Sequence, residues 1–449
     1  MDAHLIDSAV YGHGWSTPES LALFSERARL SRWVRVLKAL AAAQADLEII
    51  PAASAALIED LDASRLDPAA VGAETRRTSH STIGLVRELQ ALLPVEAREH
   101  VYYGATVQDI TDTAAALEMR DVGAIVWRDL RAVEASLLEL AERHRHTPML
   151  GRTHGQPGAP VTFGLKVASW ADETARHLER WRQCRPRLVV GQLAGAVGAL
   201  GFYGELGPEL RRRLCERLEL GEPAVSWLTA RDRIAEFANN SALVSATMAR
   251  MANEVYNLQR REIGEVAEAA SEATMGSITM PHKRNPERSE QIVTLARLVR
   301  SAAGVLTETM VGDHERDGRT WKTEWVLLPE MGHYLLSQLS LARGLAANIE
   351  VDTGAMAANL EAMGDYGSQE LLRRLSARMG KHRANDELQK AYRTARASGR
   401  PLAEVLEGIA TPSELEDLDH PATGAAGQMV DTVIAAAAKR RATETDEWI

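Results

Sequence analysis

The 449-residue chain has very few cysteines: Cys184 and Cys215 are the only two. That is too few for a disulfide framework, and the pair is too isolated for a metal-ligand spacing, so both read as buried or inert thiols in a reducing compartment. No stretch approaches the roughly 18 apolar residues of a membrane span, and Met1 to Gly14 lacks the basic region and apolar run of a secretory leader. A cytoplasmic location is expected. No basic block stands against the net charge of −10, which is spread along the sequence and argues against a nucleic-acid or anionic-membrane partner. A small anionic substrate would need a local basic pocket. Glycine and proline are sparse over long stretches, and β-branched residues seldom alternate with polar ones, which leaves an all-α fold as the expectation.

What is present is helical periodicity. Ile234, Phe237, Val244, Met248, Met251, Val255 and Leu258 fall at spacings of three, four or seven and make one apolar stripe. Similar patterns run from Asp109 to Arg143, Val161 to Trp181, Glu287 to Met310 and Glu324 to Ala347, with Pro329 internal near the start of the last. They predict a bundle of five long helices. A helix of ~35 residues extends ~50 Å, more than one monomer needs to enclose a core, so the exposed stripes are expected to pack against other copies. Shorter helices flank the bundle, giving three domains: 1–107, 108–350 and 351–449. The Lys439–Arg441 cluster reads as a helix end leading into a solvated tail.

The most informative stretch is Gly276-Ser277-Ile278-Thr279-Met280-Pro281-His282-Lys283-Arg284-Asn285-Pro286, a loop between two helical segments. Ordinary punctuation accounts for part of it: Pro281 breaks structure, Asn285 caps the next helix and Pro286 takes its first position. It does not account for a Gly-Ser pair followed by His, Lys and Arg. The run resembles the signature of the aspartase/fumarase superfamily, which includes adenylosuccinate and argininosuccinate lyases. Two more blocks resemble that superfamily in the expected order: Tyr103 to Asp109 with Asp112-Thr113, and Gly151-Arg152-Thr153-His154-Gly155-Gln156-Pro157. Thr78-Ser79-His80 matches a histidine segment of adenylosuccinate lyases.

The resemblance implies an all-α, three-domain homotetramer with a long shared bundle, each active site being assembled from blocks on different subunits. It makes Ser277 the general base and Lys283 a carboxylate ligand. His154 becomes the general acid or part of a relay, paired with Glu290 on the following helix, since a carboxylate beside imidazole raises its pKa and sets its tautomer. His80 joins the catalytic candidates, and Asn285, Thr106, Thr153, Gln156 and Arg316 the binding ones. Without the surrounding blocks, His80 and His154 would read as structural histidines. Removing a proton beside a carboxylate builds negative charge there, so cationic and hydrogen-bonding groups must already face it, and a serine must be activated to serve as base. Gly195 to Gly201 has no preceding strand and no following Gly-Lys-Ser/Thr, so it reads as a turn. His144 and His146 lack partners at metal-ligand spacing. No metal or other cofactor is expected.

Departures from the pattern narrow the branch. Gly14-Trp15 stands where adenylosuccinate lyases have Arg-Tyr. After His314-Glu315-Arg316-Asp317 comes Trp321-Lys322-Thr323-Glu324-Trp325, with a tryptophan in place of the phosphate-binding arginine, which argues against a nucleotide substrate. The Trp-x-x-Glu-Trp pattern resembles the 3-carboxy-cis,cis-muconate cycloisomerase branch, but some of its bacterial members have a tryptophan where His154 stands and lack His80. Elimination from a substituted succinate with a nitrogen leaving group is therefore expected, with the cycloisomerase as the alternative and a non-catalytic structural homologue as the remote one. Val107, Tyr102 and Ile278 depart from the family pattern and point to an atypical substrate.

Overall fold

The computed structural model describes residues 4–270, 279–280, 282–364, 367–416, 418 and 420–448. After a short helix at Pro18–Phe24 come α1 (Glu26–Asp46), α2 (Val107–Arg143), α3 (Phe163–Leu188), α4 (Asp232–Leu258), α5 (Glu287–Glu308) and α6 (Gly318–Ala347), with α7 (Ala426–Arg441) near the C-terminus. The five stripes read from the sequence correspond to α2 through α6. The longest, α2, has 37 residues and so spans about 55 Å. Its start is set by a capping box in which Thr106 and Asp109 satisfy each other's backbone N–H groups.

Two helix boundaries differ from the sequence reading by more than two residues. Helix α3 continues through Pro186 to Leu188 rather than stopping at Trp181, because the proline falls in the last turn. Helix α6 begins at Gly318, since the Asp317 carboxylate accepts the backbone N–H of Arg319 and nucleates a turn well before Glu324. A β-hairpin that periodicity did not foretell joins α2 to α3: β1 (Pro148–Thr153) pairs antiparallel with β2 (Gln156–Thr162). Two further short strands, β3 (Val266–Glu268) and β4 (Ile349–Val351), pair before the signature loop and after α6.

One continuous core runs from Ile6 through the bundle to Ala346 and also takes in Met356, Val430 and Trp448. A separate small core of Leu371, Leu375, Ala384, Leu388, Ala391 and Leu406 belongs to the C-terminal helices. Both cysteines are buried, and burial pushes each thiol up to about 12. The expected solvated tail is instead held down. Arg440 and Arg441 bond the buried Glu134 carboxylate of α2. The Trp448 indole donates to the Trp181 carbonyl at 2.9 Å and lies against Gly123, where any Cβ would collide with its ring. An aromatic anchor of that size overrides the solvation expected from charge composition.

Inside the bundle, Arg231 of the α4 N-cap is fully enclosed and bonds Asp112 of α2 at 2.9 and 3.1 Å and Glu324 of α6 at 2.9 Å. Helices α2 and α6 run parallel: Arg316 meets Thr106, Arg231 bridges Asp112 and Glu324, and Arg343 meets Asp129. The glutamate of the Trp-x-x-Glu-Trp pattern is thus part of this ion cluster, while Trp321 and Trp325 meet edge-to-face at 4.5 Å.

Two buried histidines carry an acid-sensitivity prediction. The His177 ring lies 2.7 Å from Thr247 Oγ1, whose own proton goes to Glu173, so Nε2 donates while Nδ1 faces Arg180. Burial, reinforced by the Arg180 charge, lowers His177 to about 4, and burial does the same for His333. The unfolded chain takes up these protons near 6.5 and the folded chain only near 4. Acidification through that window therefore favours unfolding, by up to roughly 3 kcal/mol per histidine. Thermal melts from pH 7 to 4 should show the loss, and His177→Gln should flatten it; an unchanged slope would rule this histidine out as a source.

Candidate active site

The residues singled out by sequence fall on three patches. The first surrounds the described part of the signature loop. A cavity of about 710 Å³ is lined by Lys283, Asn285 and Glu290 together with Tyr256, Arg260 and Arg261. The loop is pinned through Glu268 at the end of β3. Its carboxylate accepts the backbone N–H groups of Arg288 and Ser289 at 3.1 and 2.6 Å, stabilising the first turn of α5. Its carbonyl accepts from Arg284 at 2.7 Å, and its N–H donates to Gln259, which in turn donates to the Arg284 carbonyl. This corrects the punctuation expected at the loop's end. Pro286 is the N-cap rather than the first helical residue, and Asn285 does not cap α5 but donates to the Glu287 carboxylate at 3.2 Å. Lys283 is exposed on the cavity wall. Ser277, Ile278 and Pro281 lie outside the described residues.

The second patch lies at the N-terminus of α2. Arg316 donates to Thr106 Oγ1 at 2.9 Å and to the Gly195 and Ala196 carbonyls at 3.3 and 3.1 Å. Beneath it Asp109, fully buried, accepts the N–H groups of Thr106, Ala194 and Gly195 at 2.9, 2.7 and 3.3 Å. Burial pushes this carboxyl up to about 7, against the pull of those three donors. Sequence reading treated the Gly195 segment as a turn only. Its positive φ at Gly195 is what turns both carbonyls toward Arg316, a geometry visible only once Asp109 is seen holding the loop. Tyr102, with a positive φ of 66°, is packed against Thr82, and burial pushes its phenol up to about 12. His80 stands beside Thr82, its Nδ1 accepting the N–H groups of Thr82 and Ile83 at 3.4 and 3.2 Å. A neutral imidazole accepting at Nδ1 carries its proton on Nε2.

The third patch is the hairpin tip. Thr153 and Gln156 pair across a two-residue turn made by His154 and Gly155, with φ of 54° and 72°. Two consecutive positive φ values define the tight turn that suits the right-handed twist of a hairpin, and this one projects the His154 ring outward. Just below this tip the hairpin is fixed by a bidentate pair from Arg152 to the buried Glu265 at 2.7 and 2.9 Å. The expected His154–Glu290 pair does not form within the chain. Among the described residues, the histidine–carboxylate ion pair is His4–Glu330.

A bundle of long helices in which α3 and α5 run antiparallel to α4, with a polar loop at one end, a histidine on a hairpin tip and a basic cavity, defines a class. The chain belongs to the aspartase/fumarase superfamily of lyases, and the lyase family profile matches residues 14–300. It is 39% identical, over 97% of its length and 98% of the relative's, to N-acetyl-S-(2-succino)cysteine lyase of Dickeya dadantii (strain 3937). Among solved structures it is similar to a fumarate lyase from Mesorhizobium sp. BNC1, with TM-score 0.86 and 33% identity over 95% of this chain and 99% of that one. It is equally similar to the 3-carboxy-cis,cis-muconate lactonizing enzyme of Pseudomonas putida, with TM-score 0.89 and 32% identity over 96% and 99%.

Proposed function

We propose that the chain eliminates a sulfur-linked group from C2 of a succinate, releasing fumarate and a thiol. The observation that carries this is the basic cavity around Lys283 and Asn285, which supplies what a developing carboxylate charge requires. Ser277 takes the proton from C3, and the C–H electron pair becomes the C2–C3 double bond. The C2–S bond breaks with its electrons on sulfur, and His154 or His80 returns one proton to the leaving thiolate. The Nε2–H of His80 is suited to that step. Lys283 and Asn285 hold one carboxylate; Thr106, Arg316, Thr153 and Gln156 hold the other.

Sulfur replaces the nitrogen expected from sequence because the 39% identical relative, matched along nearly its whole length, is named for a succinyl thioether. The chemistry is also easier. A cysteine thiol ionises near about 8.5, so the leaving group departs as a thiolate, whereas an amine must first be protonated.

The likeness to the lactonizing enzyme favours a second reading, cycloisomerisation. Of the residue pattern that suggested it, Glu324 serves the buried ion cluster instead.

A homotetramer is part of the same proposal. His154 and Glu290 do not pair within one chain, and Leu243, Val305, Met310, Val311 and Val326 lie exposed on the bundle and the turn after α5. Neighbouring copies would cover these side chains and bring the three patches together. Such an enzyme would act in the cytoplasm, where fumarate is handled and thiols stay reduced.

Incubation of the purified protein with N-acetyl-S-(2-succino)cysteine should release fumarate and free thiol in equal amounts, read by ultraviolet absorbance and a thiol-reactive dye. Parallel incubations with N-substituted aspartates and with 3-carboxy-cis,cis-muconate complete the test. Fumarate from the aspartates alone would restore nitrogen, and lactone formation without fumarate would establish the cycloisomerase.

A further inference from the structure

We infer that Arg260 and Arg261 form a subsite for a carboxylate on the leaving group, which makes the substrate a tricarboxylate; this rests on the elimination proposed above. Both follow the last turn of α4, are exposed, and line the same cavity as Lys283, Asn285 and Glu290. Arg260 is braced by the Tyr256 ring, 5.9 Å from its guanidinium, which limits the rotamers it can adopt. Of the other cations on the wall, Arg284 is already engaged by Glu350 and the Glu268 carbonyl. Among the described residues, no carboxylate lies within ion-pair distance of Arg260 or Arg261, and the acidic side chain lining the cavity is Glu290.

The succinyl half brings two carboxylates, which Lys283 and Arg316 answer in the proposed reaction. Two guanidiniums then face the cavity unanswered. Cations after a helix C-terminus also offset the negative end of its dipole, but that effect needs charge near the last turn and does not require both side chains to line one cavity. A planar guanidinium suits a carboxylate through paired hydrogen bonds, and a leaving group with its own carboxylate would complete the match. No local pattern around Gln259-Arg260-Arg261-Glu262 marks the subsite in the sequence.

The test compares N-acetyl-S-(2-succino)cysteine with N-acetyl-S-(2-succino)cysteamine, which lacks only that carboxylate. The unmodified enzyme should favour the carboxylated substrate in kcat/KM by at least about tenfold, the scale of a charge-assisted hydrogen bond. In the Arg260→Gln/Arg261→Gln double variant the ratio should fall to about 1, mainly through KM, and the double lysine variant should recover part of it. Equal kcat/KM values for the two substrates in the unmodified enzyme, or a ratio unchanged in the double variant, would overturn the subsite. Release of fumarate from neither compound would instead remove the proposed reaction on which it rests.

Discussion

Alanine at Ser277 is expected to lower kcat by about 10²–10⁴-fold, the usual contribution of a positioned general base, with KM changed far less. The expectation comes from the Gly276-Ser277 pair and the His282-Lys283-Arg284-Asn285 run that follows it. It is supported by the way Glu268 and Gln259 secure the base of the loop beside the basic cavity. An alanine there removes a single hydroxyl, so light scattering and the thermal midpoint should be unchanged. A variant that retained full activity would displace Ser277 as the base. A protein inactive before mutation on every succinate and muconate substrate would fit the non-catalytic homologue.

The second large effect is on stability. Arg231→Met leaves Asp112 and Glu324 buried and facing each other without their shared cation, which should cost about 3–5 kcal/mol. The Glu324 carboxyl is already raised by burial in the intact cluster, and in the variant it loses the guanidinium that opposes that rise. The loss should therefore shrink as pH is lowered, the reverse of the histidine effect. Replacing Asp112 and Glu324 by leucine in the same variant should recover most of the stability, because a packed apolar triad carries no desolvation cost. Denaturant midpoints of the single and triple variants measure both. A single variant as stable as the parent would show that solvent reaches the cluster.

Much of the architecture was legible because helical periodicity is local. Apolar residues three and four apart must share a face, and that alone yielded α2 through α6 and an all-α bundle. The hairpin was not legible, since Pro148 to Thr162 is short and its pairing depends on the His154-Gly155 turn. The tail was misread because charge composition near Lys439–Arg441 gave no sign that Trp448 would find the slot beside Gly123.

The site divides in the same way. Ser277, His154, His80, Lys283, Asn285, Thr106 and Arg316 could be named from sequence because their motifs are contiguous. Which of them meet could not. Sequence alone determined the fold class, through local helical spacing, and the superfamily, through its resemblance to known blocks, and it named the candidates for removing and returning a proton. Tertiary structure decided that Arg316 and Thr106 share one patch, that Asp109 holds the carbonyls around them, and that Arg260 and Arg261 line the cavity of Lys283. Those juxtapositions join residues up to 210 positions apart, and they arise from the packing of helices whose register no local pattern encodes.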